Sequence, residues 1–261
     1  MIRVATLNIW NFFGPWAERA PALLAAIRGL DADVIGLQEV VRQGADRDHV
    51  AWLERELGLN VVWGEAQGGV GNAILTKHAV EYQETFVLPN GGTHEQRSIV
   101  HAKIATPSGS LPFFSTHLNY KLDEGHVRAE QVRACAAFAN LRSEGLAFPP
   151  VMVGDFNAPP DADEIRYFKG LTSLGGPCVY FVDAFEMAGE GSGVTWSKAN
   201  PFTASWMEPD RRIDYVFVGQ PRSESLGYVQ SARVWATEQL GGVHPTDHFG
   251  VVSELSSGGA S

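Results

Sequence analysis

Short apolar runs bounded by glycine, proline and polar residues recur along the chain, a pattern typical of β-strands. The predicted strands cover residues 3–7, 33–37, 60–63, 72–76, 98–104, 111–115, 150–153, 212–218 and 250–254. Helical spacing of apolar residues is rarer and predicts helices over residues 16–30, 46–57 and 124–142. Pro21 lies inside the first helix, which is therefore expected to start late or to kink.

Predicted strands outnumber predicted helices, and the helices are interspersed among them. This order indicates a mixed α/β domain with two packed sheets. Neither an internal repeat nor a linker of changed composition interrupts the chain, so we predict one domain over residues 1–255. The small, polar tail "SSGGAS", residues 256–261, is predicted to be disordered.

Charge restricts the classes of ligand. The chain has 261 residues, with 30 acidic residues against 20 lysines and arginines, a net charge of -10 and no basic run. Nucleic acid is a possible partner that this charge does not favour, whereas a small anionic substrate remains compatible with it. Cys135 lies in a helical pattern and is expected to be a buried free thiol. We see neither a signal peptide nor a transmembrane segment, and we expect a cytoplasmic monomer.

The stretch "VMVGDFNAPP", residues 151–160, places two polar side chains at the tip of an apolar strand. Side chains at positions i and i+2 of an extended chain point the same way, so Asp155 and Asn157 should converge on one point. A simple turn is the alternative, because glycine, aspartate, asparagine and proline all favour turns.

The same pattern recurs at other strand ends and within one strand. The residues concerned are Asn8, Glu39, His117, Asn119, Asp214, Asp247 and His248. Each alone is compatible with a turn residue, a solvated charge or a hydrogen-bonded structural histidine. Asp214 is harder to explain in that way, because a carboxylate between Ile213 and Tyr215 needs a partner if it is buried.

Together these residue types suit one kind of chemistry. Carboxylate and amide oxygens are preferred ligands of Mg²⁺ or Mn²⁺, whereas a structural zinc site would require cysteines or closely spaced histidines. Histidines beside carboxylates suit proton transfer and stabilisation of phosphoryl oxygens. The set therefore indicates metal-assisted hydrolysis of a phosphoester.

The ordered motifs "TLNIWN", "LQEV", "STHLN", "GDFN", "RIDYVFV" and "TDHFGV" resemble the endonuclease/exonuclease/phosphatase superfamily, which has the deoxyribonuclease-I-like fold. They extend from residue 8 to residue 248, nearly the whole chain. The resemblance implies a four-layer α-β-β-α sandwich of two packed mixed sheets flanked by helices. It also implies an active site between the upper strand ends. The family includes DNA repair nucleases, sphingomyelinases, inositol polyphosphate phosphatases, deadenylases and tyrosyl-DNA phosphodiesterases.

The resemblance also implies roles for individual residues. Glu39 would bind the metal directly, with Asn8 in or beside the ligand shell. Asp247 would complete that shell or hold metal-bound water. Asp155 would orient or deprotonate the attacking water, and Asn157 would hold the nucleophile or donate to phosphoryl oxygens. The remaining catalytic residues are His117 and His248, expected on the phosphate, and Asp214, expected to orient His248.

One departure from the family concerns the support of His117. Some members pair the first histidine with a glutamate near "GNAIL", where this chain has Asn72 and no acid. Whether Asn72 takes that place is open from sequence.

Substrate choice is expected to lie in loops, because these vary most on a shared fold. Predicted substrate contacts are Arg97, Asn119 and Trp206, the last in an aromatic loop with Trp196 and Phe202. A surface salt bridge for Arg97 and core packing for the aromatic residues are the alternatives.

Three functions follow from these residues. The preferred hypothesis is a metal-dependent phosphoesterase that cleaves a phosphodiester with a small or lipid-like alcohol group. A Mg²⁺-dependent nuclease is the alternative, and a non-catalytic binding module of the same fold is a more remote one.

Overall fold

A computed structural model describes residues 1–222 and 225–258, which form two six-stranded sheets packed face to face. The strands are β1 Ile2–Asn8, β2 Val34–Val41, β3 Asn60–Gln67, β4 Val70–Thr76, β5 Ala79–Val87, β6 Ser98–Thr106, β7 Gly109–His117, β8 Val151–Asp155, β9 Phe181–Asp183, β10 Asp214–Gly219, β11 Val229–Trp235 and β12 Gly250–Leu255. The helices are α1 Trp16–Leu30, α2 His49–Leu57, α3 Gly125–Arg142, α4 Asp163–Phe168 and α5 Ala184–Ala188. The strand orders are β11-β12-β1-β2-β4-β3 and β5-β6-β7-β8-β10-β9.

Three apolar clusters explain the layers. One lies between the sheets and includes Val4, Val100 and Val216. A second lies beneath α3 and α4, and a third lies beneath α1 and α2. Each sheet therefore has one face against the other sheet and one face covered by helices, which confirms the predicted four-layer sandwich of two mixed sheets.

Buried polar side chains also join the sheets near one edge. The Gln38 side chain accepts a hydrogen bond from Thr6 at 3.1 Å and donates one to Ser115 at 3.0 Å. Gln38 is fully buried, so this chain of bonds satisfies its amide while fixing β2 against β7. The strand ends that carry the polar motifs are thus held at a defined separation.

The helices differ from their predicted forms at their starts. The first begins at Trp16 in spite of Pro21, which lies within the helix. The predicted start of the second at residue 46 is three residues early, because Asp48 caps α2 by accepting a hydrogen bond from the Ala51 amide. Cys135 in α3 is free and buried, as predicted.

The chain end is only partly described. The Ser256 amide donates to the Tyr228 carbonyl oxygen, and residues 259–261 of the predicted tail lie outside the described residues. None of the helices within the described ranges is long and apolar enough to cross a membrane.

A buried histidine in the outer layer makes stability sensitive to acid. His49 is stacked on Phe12 with 3.8 Å between ring centroids, and its Nδ1 accepts the Val41 amide at 3.1 Å. Burial, together with the charges of Arg19 and Arg47, lowers the pKa of His49 to about 3. Folding therefore favours the neutral form of His49. The stability that this histidine contributes is fully present above its ordinary pKa of 6.5 and is lost as the pH falls towards 3.

We expect wild-type protein to lose about 2 kcal/mol of unfolding free energy from His49 alone between pH 7.5 and pH 5. His49→Asn keeps a hydrogen-bond acceptor but has no titrating ring. Its unfolding free energy should be lower than that of wild type at pH 7.5, and this difference should shrink at pH 5. Urea denaturation at both pH values measures this difference, and the exposed His126→Asn serves as control. A deficit that is equal at both pH values would contradict the prediction.

Candidate active site

The polar motifs meet at one edge of the two sheets because of strand register. Asn8 pairs with Gln38 across parallel β1 and β2, and His117 pairs with Asp155 across parallel β7 and β8. Antiparallel β10 begins opposite the end of β8, so Asp214 pairs with Asp155. Carboxyl ends of parallel strands lie at the same edge, and the predicted site residues are consequently brought together there.

Asp155 occupies the centre of the site and is buried. Its Oδ2 lies 3.4 Å from His117 Nε2, 3.7 Å from His248 Nε2 and 3.1 Å from Asn8 Nδ2. The backbone amide of Asn157 donates to the other oxygen, Oδ1, at 2.9 Å. Both oxygens of Asp155 are thus oriented, and one of them faces two imidazoles.

Asn157 adopts left-handed backbone geometry, with φ at 50°. This conformation turns the chain sharply after β8, so its amide reaches back to Asp155. The Asn157 side chain donates to the Leu118 carbonyl oxygen at 3.0 Å. Asn157 therefore holds both the carboxylate of Asp155 and the segment that follows His117, and it lines the same cavity as Asp155.

Asp214 and His248 form the expected buried pair. His248 Nδ1 lies 3.0 Å from Asp214 Oδ2, and the Trp196 ring packs edge-on against the imidazole at 5.0 Å between centroids. Burial opposes protonation, but the carboxylates of Asp214 and Asp155 outweigh it and hold the pKa of His248 well above its ordinary value. Burial and the charges of Arg97 and His248 instead lower the pKa of His117 well below its ordinary value. One imidazole is therefore charged and the other neutral.

Glu39 reaches the site through a β-bulge. The register of β2 against β4 shifts between Leu37 and Val40, and Glu39 within that shift has φ at 58°. A bulge re-aims a side chain, and strained left-handed geometry in a residue other than glycine is typical of functional positions. The Glu39 carboxylate accepts a hydrogen bond from Asn8 Nδ2 at 3.1 Å.

Asp247 is the third carboxylate at this edge. The Thr246 hydroxyl lies 3.1 Å from Asp247 Oδ1 and 2.8 Å from the Asn8 carbonyl oxygen, which ties the loop before β12 to the end of β1. Burial, followed by repulsion from Glu39, raises the pKa of Asp247 to about 7. Burial likewise raises the pKa of Asp155 to about 6 and raises that of Glu39.

Desolvation of these carboxylates is the main cause of the three shifts, and repulsion among the carboxylates of the site adds to it. The ion pairs of the site join Asp155 and Asp214 to histidines, and within the described ranges neither Glu39 nor Asp247 pairs with a lysine or arginine. Oxygen donors with uncompensated charge suit a hard divalent cation. Asp155, Asp214 and His248 also bring potential ligand atoms within 4.8 Å of one another, but a charged His248 has no lone pair to offer, which leaves Glu39 and Asp247 as the available oxygen donors. The donor chemistry therefore fits a divalent metal.

Asn8 is oriented so that its side chain supports two carboxylates of the site. Its side-chain oxygen accepts the Trp10 amide at 3.0 Å, while its Nδ2 bridges Glu39 and Asp155. The amide nitrogen thus fixes two carboxylates relative to each other. The Trp10 amide uses one lone pair of the oxygen and leaves the other, so Asn8 is compatible with a place in the ligand shell or beside it.

The three predicted substrate contacts have different outcomes. Arg97 and Trp206 line a cavity of about 480 Å³ together with Asp155 and His248. Arg97 also forms an ion pair with Glu95, which is partly buried at the same wall.

Asn119 is not brought to that cavity. Its side chain is buried, donates to Glu124 at 2.9 Å and accepts from Gln131 at 2.8 Å. Its polar atoms are used in holding the loop after β7 on α3. Asn72, likewise, donates to the Ser98 carbonyl oxygen at 2.9 Å and makes no hydrogen bond to His117 among the described residues.

Arg19 supports the site, although the sequence analysis did not single it out. It is fully buried and donates to backbone carbonyl oxygens of Ile9, Trp10, Asn11, Phe13 and Pro245. These bonds fix the loop after β1 and the approach to Asp247. Its spacing could have revealed it, because Arg19 shares the helical face of Leu23 and Ile27, where an apolar residue is expected.

Arg19→Met should destabilise the protein by about 3 to 5 kcal/mol, because it leaves several buried carbonyl oxygens without donors. Arg28→Met, at an exposed position of the same helix, should change stability by no more than about 0.5 kcal/mol. Urea unfolding of both variants measures the contrast. Equal effects of the two substitutions would show that the hydrogen bonds from Arg19 to the backbone carbonyl oxygens contribute little to stability.

Fold and site together define an α/β sandwich with an acid–histidine cluster at its upper strand ends. The chain belongs to the endonuclease/exonuclease/phosphatase family, whose model matches residues 5–248. The predicted family is thereby confirmed.

Sequence relatives are distant. Uncharacterized protein YbhP of Escherichia coli K12 is 28% identical over 173 residues, which is 59% of this chain and 66% of YbhP. The chain therefore spans just under two thirds of that relative's length. Protein angel homolog 2 of Mus musculus is 28% identical over 196 residues, 69% of this chain and 36% of that protein.

Solved structures share the fold. TDP2 of D. rerio, complexed with single strand DNA product, superposes with a TM-score of 0.76 at 19% identity and covers 97% of each chain. The human Nocturnin catalytic domain with bound sulfate anion has a TM-score of 0.72 at 19% identity, over 98% of this chain and 94% of that one.

Proposed function

We propose that the protein is a metal-dependent phosphoesterase that hydrolyses a phosphodiester with a small or lipid-like alcohol group. The observation that carries the proposal is Asp155, held between His117 and His248 at the end of β8. A buried carboxylate next to one neutral and one charged imidazole can accept a proton from water while a phosphoryl group is bound beside it.

Different residues of the site would carry out different steps of the hydrolysis. Asp155 orients and deprotonates the attacking water, and its raised pKa brings its basicity closer to neutral pH. Charged His248 contacts the phosphoryl oxygens and stabilises the negative charge that grows on them, while Asp214 keeps its ring oriented. His117 contacts the same oxygens from the neighbouring strand end, and Asn157 holds Asp155 in place.

Glu39 and Asp247 would hold the metal ion, with Asn8 in or beside the shell and fixing Glu39. Mg²⁺ or Mn²⁺ bound there would supply charge neutralisation and polarisation of a phosphoryl oxygen. Burial raises the pKa of both carboxylates, and repulsion from Glu39 adds to the shift at Asp247; a cation that would stabilise the charged forms is therefore consistent with this assignment.

The cavity walls favour a small or apolar alcohol group. Aromatic side chains Trp10, Trp196 and Trp206 line it, while its arginines Arg97 and Arg211 are both ion-paired with glutamates. A polyanion would require free cations to bind the phosphates on either side of the scissile one.

A nuclease is the second candidate, and the same aromatic wall supports it, because bases stack on aromatic rings without sequence preference. TDP2 of D. rerio, which shares the fold, was solved with a single strand DNA product. A binding module without catalysis is disfavoured, because such a module would be expected to have lost one of the acid or histidine residues that lie close together around Asp155.

Hydrolysis rates decide between these candidates. We expect kcat/KM for small and lipid phosphodiesters to exceed that for duplex or single-stranded DNA, at matched salt and with Mg²⁺ or Mn²⁺ present. DNA preferred by tenfold or more would make the nuclease the better description and leave the catalytic residues as assigned. If the protein hydrolyses none of these phosphoesters, the proposed activity itself is refuted.

A further inference from the structure

Thr195 contacts the chain beside Asp214 and lies in the loop between α5 and β10. It is fully buried, and its hydroxyl oxygen accepts the backbone amides of Ile213 at 3.0 Å and of Asp214 at 3.2 Å. A hydroxyl oxygen has two lone pairs, so both are used at the point where β10 begins. The Thr195 side chain therefore fixes the backbone from which the Asp214 carboxylate projects.

The main chain of Thr195 holds the segment of the other member of the pair. Its carbonyl oxygen accepts the amide of Phe249, the residue directly after His248, at 2.8 Å. Its own amide donates to the Arg211 carbonyl oxygen at 2.9 Å, which closes the loop before β10. One residue is consequently hydrogen-bonded to the chain on both sides of the Asp214–His248 pair.

The next residue, Trp196, extends this contact to the imidazole itself. Its backbone exchanges two hydrogen bonds of 2.9 Å with Arg211, and its ring packs edge-on against His248 at 5.0 Å between centroids. The His248 ring is thus held by Trp196 and, through Nδ1, by Asp214 at 3.0 Å. The backbone around Thr195 determines where both of these contacts lie.

A buried threonine hydroxyl can instead serve stability alone, and Thr76 is such a case. Its hydroxyl accepts the His78 amide at 3.1 Å and donates to the Asp33 carbonyl oxygen at 3.0 Å. Thr76 is buried and pairs with Val34 at the start of β2, so it lies at the opposite edge of the sheet from the candidate active site. It provides a control for the loss of a buried hydroxyl as such.

We propose that Thr195 is a positioning residue that aligns the Asp214–His248 pair with the phosphoryl group by holding the chain segments of both. This inference rests on the proposed function for the step that it affects, and on the hydrogen bonds of Thr195 for the alignment. A displaced His248 would stabilise the growing negative charge less well, because catalytic groups act within narrow limits of distance and angle. The loss should therefore fall on kcat and not on KM.

Steady-state kinetics on bis(p-nitrophenyl) phosphate test this alignment. Thr195→Val keeps the size of the side chain but removes the acceptor, and it should lower kcat about 10- to 100-fold with KM close to that of wild type. Thr195→Ser keeps the oxygen and should retain most of the wild-type kcat, and Thr76→Val should change neither constant. Thermal melts verify folding, and Thr195→Ala replaces the valine variant if that variant does not fold.

A double variant shows whether Thr195 acts through His248. In the His248→Ala background, Thr195→Val should lower kcat by less than about twofold, because no imidazole is left to align. An equal fractional loss of kcat in both backgrounds would overturn the proposal. Wild-type kcat in Thr195→Val, or an equal loss in Thr76→Val, would overturn it as well.

Proton NMR separates this inference from the proposed function, because it requires no turnover. The proton between His248 Nδ1 and Asp214 should give a downfield signal in wild type that is missing from His248→Ala. Thr195→Val should broaden or abolish this signal, while Thr195→Ser and Thr76→Val keep it. A wild type without the signal, or a Thr195→Val variant with an unchanged one, would refute the positioning even in an active enzyme. Loss of the signal in Thr195→Val, in a protein that hydrolyses no phosphodiester, would support the positioning and refute the activity.

Discussion

Asp155→Asn should lower kcat by about two to four orders of magnitude while the fold survives. The variant keeps the size of the side chain and can still accept the Asn157 amide, but it cannot take a proton from water. It also removes the charge that lies 3.4 Å from His117 and 3.7 Å from His248. Because Asp155 is one of the carboxylates that raise the pKa of His248, the loss combines a missing base with a less fully protonated histidine.

Steady-state kinetics on a soluble aryl phosphodiester, with a thermal melt to verify folding, measure this effect. The exposed Asp161→Asn is the matched control and should match wild type. His248→Ala should cause a loss of similar size. The double variant should be little worse than either single one, since residues that act as a unit are not additive. A folded Asp155→Asn variant with near-normal kcat would refute the role of Asp155.

Strand ends were the part of the site that sequence could predict. Two-residue alternation places Asp155 and Asn157 on one side of an extended chain, and apolar runs locate β1, β7 and β8. Once the strands are placed, their polar termini meet by register, as His117 and Asp155 do. The resemblance to a family supplied the order of the sheets, which no local pattern contains.

Elements without a buried face escaped prediction. The edge strand β5 is exposed or half-buried along Ala79–Val87, and β11 is only partly covered, so neither shows the alternation that marks a strand. The left-handed backbone at Glu39 is equally invisible, because a bulge depends on the partner strand β4. Such features are fixed by tertiary contacts and not by local sequence.

Two loop residues show why substrate contacts were hard to predict from sequence. Asn119 follows His117 closely in sequence, which suggested that it faces the substrate. Its amide instead donates to Glu124, just before α3, and accepts from Gln131, inside α3, so its polar atoms are used within the protein. Arg97 reaches the cavity and also forms a salt bridge, the alternative given from sequence; its partner Glu95 could not be predicted, because their pairing requires the folded loop between β5 and β6.

Chelation should abolish turnover, and Mg²⁺ or Mn²⁺ should restore it. The carboxylates of Glu39, which is partly buried, and of Asp247, which is buried, form no ion pair with a lysine or arginine within the described ranges, so a divalent ion would stabilise their charged forms. Loss of a metal that polarises a phosphoryl oxygen removes several kcal/mol of stabilisation, so we expect the rate to fall by more than about a hundredfold. Full activity in excess chelator would contradict the metal requirement.

Thermal stability provides a second measure that does not depend on turnover. Mg²⁺ should raise the Tm of the chelator-treated wild-type protein, because an ion that binds only the folded state stabilises it by mass action. Glu39→Gln removes a carboxylate ligand and keeps the side-chain shape, so its Tm should respond weakly to Mg²⁺. The exposed Glu190→Gln should respond as wild type does. An equal Tm rise in Glu39→Gln would exclude Glu39 as a ligand even if activity requires metal, because the ion would then be held by other carboxylates.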